Sequence, residues 1–283
     1  MITLRELMYK GIVGINAEQN ASLLWLFILS MVLIAIAGYL LGSINTAIII
    51  SKKKFGKDIR ESGSGNAGTT NMMRTYGKLA GIATFAGDIL KAVVSVYLGM
   101  FLCGTMGAYI GGFTCILGHM FPVYYHFKGG KGVAVAAVMI LITEPTVFLM
   151  VAGTFLILLL STKYVSLASI AAAGLYPMML YNFMVTKYGY SDFRAIIALI
   201  IGILIIFMHR SNIKRLREGK ENKINLKKKP KEKKKAEDAE SVLIADETPD
   251  QSEKAPAADK SSAEKNYSTA KNRNTKNKSK IKK

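Results

Sequence analysis

The stretch "LLWLFILSMVLIAIAGYLLGSINTAIII", Leu23 to Ile50, contains no charged residue. A helix of about 20 apolar residues crosses the hydrocarbon core of a bilayer. The run is longer than that and reads as a membrane span. It is also too long for the apolar region of a cleavable leader, so no signal peptide is expected. Working outward, further apolar runs cover Lys78 to Leu102, Gly107 to about Val123, Tyr164 to Met184 and Arg194 to Met208. One more, Val133 to about Leu160, is apolar on both sides of Glu144-Pro145. Proline removes a helix hydrogen bond and favours a turn, so this run divides into two short helices. The expected fold class is an all-α polytopic membrane protein with about seven transmembrane helices.

Charge locates the two sides of the membrane. The net charge is +19, but residues 1–208 carry only 15 Lys and Arg against 7 Asp and Glu. Residues 209–283 carry 23 against 12, with few aromatics. A segment of that composition cannot bury enough apolar surface to offset its chain entropy, and disorder is expected. The expected organisation is an N-terminal extracytoplasmic segment over 1–21, a membrane domain over 22–222, and a basic, mixed-charge tail over 223–283. Loops rich in Lys and Arg stay on the cytoplasmic side. With seven spans, Lys52, Lys53, Lys54, Lys57, Arg60, Arg74, Lys128, Lys131 and Lys163 all fall inside. Arg5, Lys10, Lys187 and the helix-edge Arg194 fall outside. The N-terminus is then out and the C-terminus in. The tail run "KKKPKEKKK" suits anionic lipid headgroups, and no nucleic-acid partner is expected. Cys103 and Cys115 sit among apolar residues, and three His in the chain make no metal pattern with them.

This topology places three polar segments on one face. They are "ESGSGNAGTTNMMRTYG" (61–77), "GHMFPVYYHFKGGKGVAV" (118–135) and "HRSNIKRLREGKEN" (209–222). Their chemistry points to phosphate. Gly63 and Gly65 let backbone N–H groups approach an anion. Ser64 adds a hydroxyl, Asn66 an amide and Arg74 a bidentate fork. Lys128 and Lys131 are point charges around the bend Gly129, Gly130 and Gly132. His209 and Asn212, three apart, share a face if helical. The P-loop spacing is missing from "KGGKG". Asp88 and Lys91, one turn apart inside a span, read as a structural pair.

In this order the segments, with "YVSLASI" (164–170), resemble the bacterial acyl-phosphate:glycerol-3-phosphate acyltransferase family over roughly residues 23–222. The resemblance implies a seven-helix integral membrane enzyme. It would move a fatty acyl group from acyl phosphate to the 1-hydroxyl of glycerol 3-phosphate, opening phospholipid synthesis. Ser64, Arg74, Lys131, His209 and Asn212 would carry catalysis. Gly63, Gly65, Asn66, Thr70, Asn71, Lys128, Gly129, Gly130, Gly132 and Ser169 would contact substrate or phosphate. Glu221 would hold the third segment in place. No cofactor and no metal are implied. The chain departs from the family at Val135, where Thr is usual, and at Ser211, where an acidic residue is common. Two points stay open. The acceptor proton could go to His209 or to a substrate phosphate, and Ser64 could be a ligand or a nucleophile. The competing function is an organic-phosphate transporter or channel, with the same basic loops as its vestibule.

Overall fold

The computed structural model describes residues 4–224, and the expected disordered tail lies outside them from residue 225 onward. The regular secondary structure of the described residues is helical. Helix α1 (Leu4–Gln19) leads into α2 (Leu24–Ser43), α3 (Thr46–Phe55) and the short α4 (Thr69–Tyr76). Then come α5 (Lys78–Met120), α6 (Val133–Thr143), α7 (Pro145–Thr162), α8 (Val165–Tyr188), α9 (Phe193–Met208) and α10 (Arg210–Arg217). Among these residues four helical stretches are long and apolar enough to cross a membrane, or five if α9 and α10, bent by 55°, make one. Helix α6 is apolar but shorter.

The run Leu23–Ile50 is not a single helix. It breaks after Ser43, and Asn45 stands extended between α2 and α3. The break has an identifiable cause. Asn45 Oδ1 accepts from the Ile48 N–H at 3.1 Å and caps α3. The last carbonyls of α2 lack helical partners, and a buried ammonium takes them. Lys91 Nζ donates to Gly42 O at 3.0 Å and Ile44 O at 2.9 Å. Lys91 also lies 3.0 Å from Asp88 Oδ1 and 2.9 Å from His119 Nδ1. The charges inside the apolar run are therefore a pair, and they hold a helix break.

Helix α5 reverses at Cys103 and Gly104, whose backbones are not helical. Gly104 has φ +59°, a conformation that disfavours residues with a Cβ. The two halves then pack face to face. A Cβ on Gly99 would sit 2.0 Å from Gly107 O, and one on Gly111 would sit 2.4 Å from Ser95 O. Small residues give such helices their close approach, since lipid supplies no hydrophobic drive between them. The N-terminal segment is also helical, and α1 lies across the reversal, with Tyr9 O against Gly104. At the division expected at Glu144-Pro145, Glu144 leaves the helical conformation between α6 and α7 and Pro145 takes the first position of α7. Glu144 Oε1 pairs with Arg194 Nη1 at 2.7 Å, which joins this turn to the start of α9.

Candidate active site

The first polar segment is tied into shape by one amide. Asn71, on α4 and 1% exposed, accepts the Ser64 N–H through Oδ1 at 2.9 Å. Its Nδ2 donates to the carbonyls of Ile59, Ser62 and Asn66 at 3.0–3.2 Å. A Cβ on Gly63 would meet Asn71 Oδ1 at 2.3 Å, and Gly63 has φ +60°. The glycine therefore makes room for the asparagine. The N–H groups of Ser64, Gly65 and Gly68 are bonded within the loop. The sequence suggested that N–H groups of "GSGN" face an anion. Those of Ser64 and Gly65 instead close the turn, and Asn71 has its amide committed to backbone. Ser64 itself is exposed, as is Arg74 on the same segment.

The second segment folds back on the end of α5. Gly129 N–H donates to Met120 O at 3.1 Å and Gly130 N–H to His119 O at 3.0 Å. A Cβ on Gly130 would lie 2.1 Å from His119 Nε2. These glycines are explained by close packing over a buried imidazole, and Gly132, left-handed at φ +77°, opens α6. Arg60 clamps the first two segments together. It donates to Tyr125 O at 2.9 Å and Lys128 O at 3.0 Å. Asp58 Oδ2 grips Arg60 Nη2 at 2.8 Å. The bond from Arg60 holds the Asp58 carboxyl down at about 2. Asn45 Nδ2 makes a longer contact, 3.4 Å, to Ala67 O in the first loop.

The third segment completes the site. Lys131 Nζ donates to Asn212 Oδ1. Asn212 Nδ2 donates to Glu221 Oε1 at 2.8 Å, and Ser166 Oγ reaches the same oxygen at 3.0 Å. Arg215 Nε binds Glu221 Oε2 at 2.8 Å. Arg74 Nη2 donates to Asn222 O at 3.2 Å, which brings the first segment to the third. Three stretches distant in sequence thus meet around Lys131, Asn212 and Glu221. Burial, together with the nearby Arg215 and Arg74 charges, pushes the Lys131 ammonium down to about 8 despite Glu221. Burial opposes ionisation of Glu221, but its bonds from Arg215, Asn212 and Ser166 win and keep it below the usual carboxylate range. His209, just past α9, is 2% exposed. Its Nδ1 lies 2.8 Å from Ile205 O. A carbonyl only accepts, so Nδ1 carries the proton and Nε2 a lone pair. Burial, and then the Lys131 charge, push this imidazole down to about 4.

The geometry sorts the residues singled out by sequence. Arg74, Lys131, Asn212 and Glu221 are joined by hydrogen bonds or share a segment. Among the described residues, no hydrogen bond links Ser64 Oγ or Lys128 Nζ to them; Lys128 is exposed. Asn66 and Thr70 flank the start of α4 and are half-buried. Ser169 Oγ donates to its own helix at Val165 O, 2.9 Å away, whereas Ser166 reaches Glu221. Sequence reasoning missed Asp58, Arg60, Asn45, His119 and Arg215. Arg60 was visible only as one more cytoplasmic charge, and nothing in the spacing showed that it spans 68 residues to Lys128.

The family model for glycerol-3-phosphate acyltransferase matches residues 32–219. A glycerol-3-phosphate acyltransferase of Finegoldia magna is 40% identical over 196 residues, 69% of this chain and 97% of that protein. One from Clostridioides difficile is 41% identical over 207 residues, 71% and 98% of the two chains. Among solved structures, PlsY (YgiH), an integral membrane glycerol 3-phosphate acyltransferase in its glycerol 3-phosphate form, is similar with a TM-score of 0.61. The two are 38% identical, over 69% of this chain and 96% of that one. Its lysophosphatidic acid form gives 0.59. With the fold, the three joined segments and these relatives in agreement, the chain belongs to the glycerol-3-phosphate acyltransferase family.

Proposed function

We propose that the chain transfers a fatty acyl group from acyl phosphate to the 1-hydroxyl of glycerol 3-phosphate, yielding lysophosphatidic acid and phosphate. The observation that carries this reading is the cluster of Arg74, Lys131 and Arg215 around a single carboxylate, Glu221. The cations outnumber it, and the depressed Lys131 ammonium is the mark of a site that an anion would relieve. Each pair of unit negative charges on the two phosphates, at about 4 Å, repels by about 4 kcal/mol at an effective dielectric near 20. Arg74 and Lys131 offset that repulsion, and orientation of the hydroxyl supplies much of the remaining rate. The acceptor oxygen bonds to the acyl carbon, the bond to the phosphate oxygen breaks, and phosphate leaves with the electron pair. His209, held neutral with its Nε2 lone pair available, accepts a hydrogen bond from the acceptor. A group near 4 is a weak base at neutral pH, so the hydroxyl proton passes to a phosphate oxygen, whose second pKa is about 6. Ser64 and Thr70 hydroxyls, with Asn66, line the acceptor side as ligands. Asn71, Gly63, Gly65, Gly129, Gly130 and Gly132 shape the two loops, and Lys128 meets anions at the rim.

The same reading takes seven spans: α2, the two halves of α5, α6, α7, α8 and α9. The reversal at Gly104 supports the division of α5. The Lys and Arg asymmetry supports an outer N-terminus and a cytoplasmic site in a bacterial cytoplasmic membrane. Purified protein in neutral detergent should release phosphate and form lysophosphatidic acid from acyl phosphate and glycerol 3-phosphate, with no gradient. Equal turnover with acyl-coenzyme A would sink the donor assignment. An acyl adduct trapped on Ser64 by acyl phosphate alone would make it a nucleophile.

A further inference from the structure

Helix α10 has two working faces, and the site uses one. Asn212 and Arg215 turn inward to Glu221. Arg210, Lys214 and Arg217, at i, i+4 and i+7, form a stripe on the other side, and all three are exposed. Among the described residues no carboxylate pairs with any of them. They line a shallow concavity of about 490 Å³ with Ile213 and Glu218. Glu218 pairs instead with Lys220 at 3.3 Å. The stripe begins two residues past an apolar helix, and the Arg210 guanidinium lies 4.7 Å from the ring of Phe207, itself 53% exposed on α9. The ring gives the guanidinium an apolar face to stack on at the end of the span.

We propose that this outer face of α10 is a docking site for the phosphate of an anionic phospholipid in the adjoining leaflet. The charges match: three cations without a carboxylate partner face a surface whose lipids carry phosphate. Ile213 and Phe207 offer apolar surface where the headgroup gives way to the acyl chains. The bend of 55° between α9 and α10 swings the stripe away from the axis of α9. The site needs only that α9 ends at the membrane surface. It does not depend on the acyl-transfer reading, so the two can fail separately.

The test compares the full chain with the Arg210→Gln/Lys214→Gln/Arg217→Gln variant. Native mass spectrometry from mixed micelles of phosphatidylglycerol and phosphatidylcholine reads lipid retention. A cation near an anionic surface contributes about fivefold, so the variant should lose at least tenfold of its preference for phosphatidylglycerol. The loss should shrink with added salt. Turnover in neutral detergent should stay within about twofold, which shows an intact fold. Equal retention of the two lipids by the parent chain, or an unchanged preference in the variant, overturns the proposal. Displacement of phosphatidylglycerol by low-millimolar inorganic phosphate would mean that the face reads free phosphate. A carbodiimide cross-link from Lys214 to an acidic tail residue such as Glu237, persisting with phosphatidylglycerol present, would give the face to the tail. Either result overturns the lipid assignment.

Discussion

Replacing Lys131 by Arg should change the shape of the pH profile more informatively than its height. Burial and the Arg215 and Arg74 charges set the Lys131 ammonium at about 8 in the absence of substrate. At that value about nine-tenths of it is charged near pH 7 and about one-tenth near pH 9. Anion binding needs the charged form. The profile of kcat/KM for glycerol 3-phosphate should therefore fall about tenfold per unit above pH 8. Its acid limb should follow the second ionisation of the substrate phosphate, near 6. Since kcat/KM reports the free enzyme and kcat the complex, the alkaline limb of kcat should lie higher, because bound phosphate stabilises the ammonium. An Arg at 131 stays charged throughout. Its planar fork will not copy the single bond from Lys131 to Asn212, so the rate should drop. The alkaline limb should nevertheless vanish. The assay is phosphate release at fixed acyl phosphate, corrected for spontaneous donor hydrolysis at each pH. An alkaline limb that persists unchanged in Lys131→Arg would refute the assignment, as would a parent profile that stays flat to about pH 10.

Asn71→Ala should remove four loop bonds and destabilise the protein by about 3 kcal/mol, while raising the KM for glycerol 3-phosphate more than it lowers kcat; thermal unfolding and steady-state kinetics check this. Gly130→Ala would put a Cβ 2.1 Å from His119 Nε2, so the turn carrying Lys131 must move; a KM rise of about tenfold is expected, and unchanged kinetics would show that the turn is not read by substrate. His209 is neutral in the fold at about 4 against an ordinary 6.5. The unfolded chain then binds the extra proton, and stability falls as pH drops from about 6.5 to about 4, by roughly 3 kcal/mol in all. His209→Gln should flatten that part of the stability curve, measured by denaturation in detergent at stepped pH.

The sequence made some of this legible and hid the rest for physical reasons. Apolar length revealed spans, and Glu144-Pro145 revealed a turn, because both depend on neighbouring residues. The break at Ile44–Asn45 did not show. It rests on Lys91, 47 residues from Ile44, supplying bonds that the helix end lacks. A charge inside an apolar run was recognisable as costly, but its partners were not. The Gly-rich loops were read as phosphate cradles from residue type. The fold gives several of those glycines another reason: Gly63 yields to Asn71, and Gly130 yields to His119. Residue type therefore pointed to loops that the fold brings together, while misreading what some of their glycines and amides touch. The distinction matters for mechanism. If the backbone N–H groups of Ser64, Gly65, Gly129 and Gly130 are bonded within the protein, charge must do most of the anion binding. On the function proposed above, that burden falls on Arg74 and Lys131, which no local motif joins. Both donate to the third segment, Arg74 to Asn222 O and Lys131 to Asn212 Oδ1, on top of the Arg60 clamp between the first two. The third segment is thus where the other two are registered, and Glu221 sets that register by holding Asn212, Arg215 and Ser166 at once.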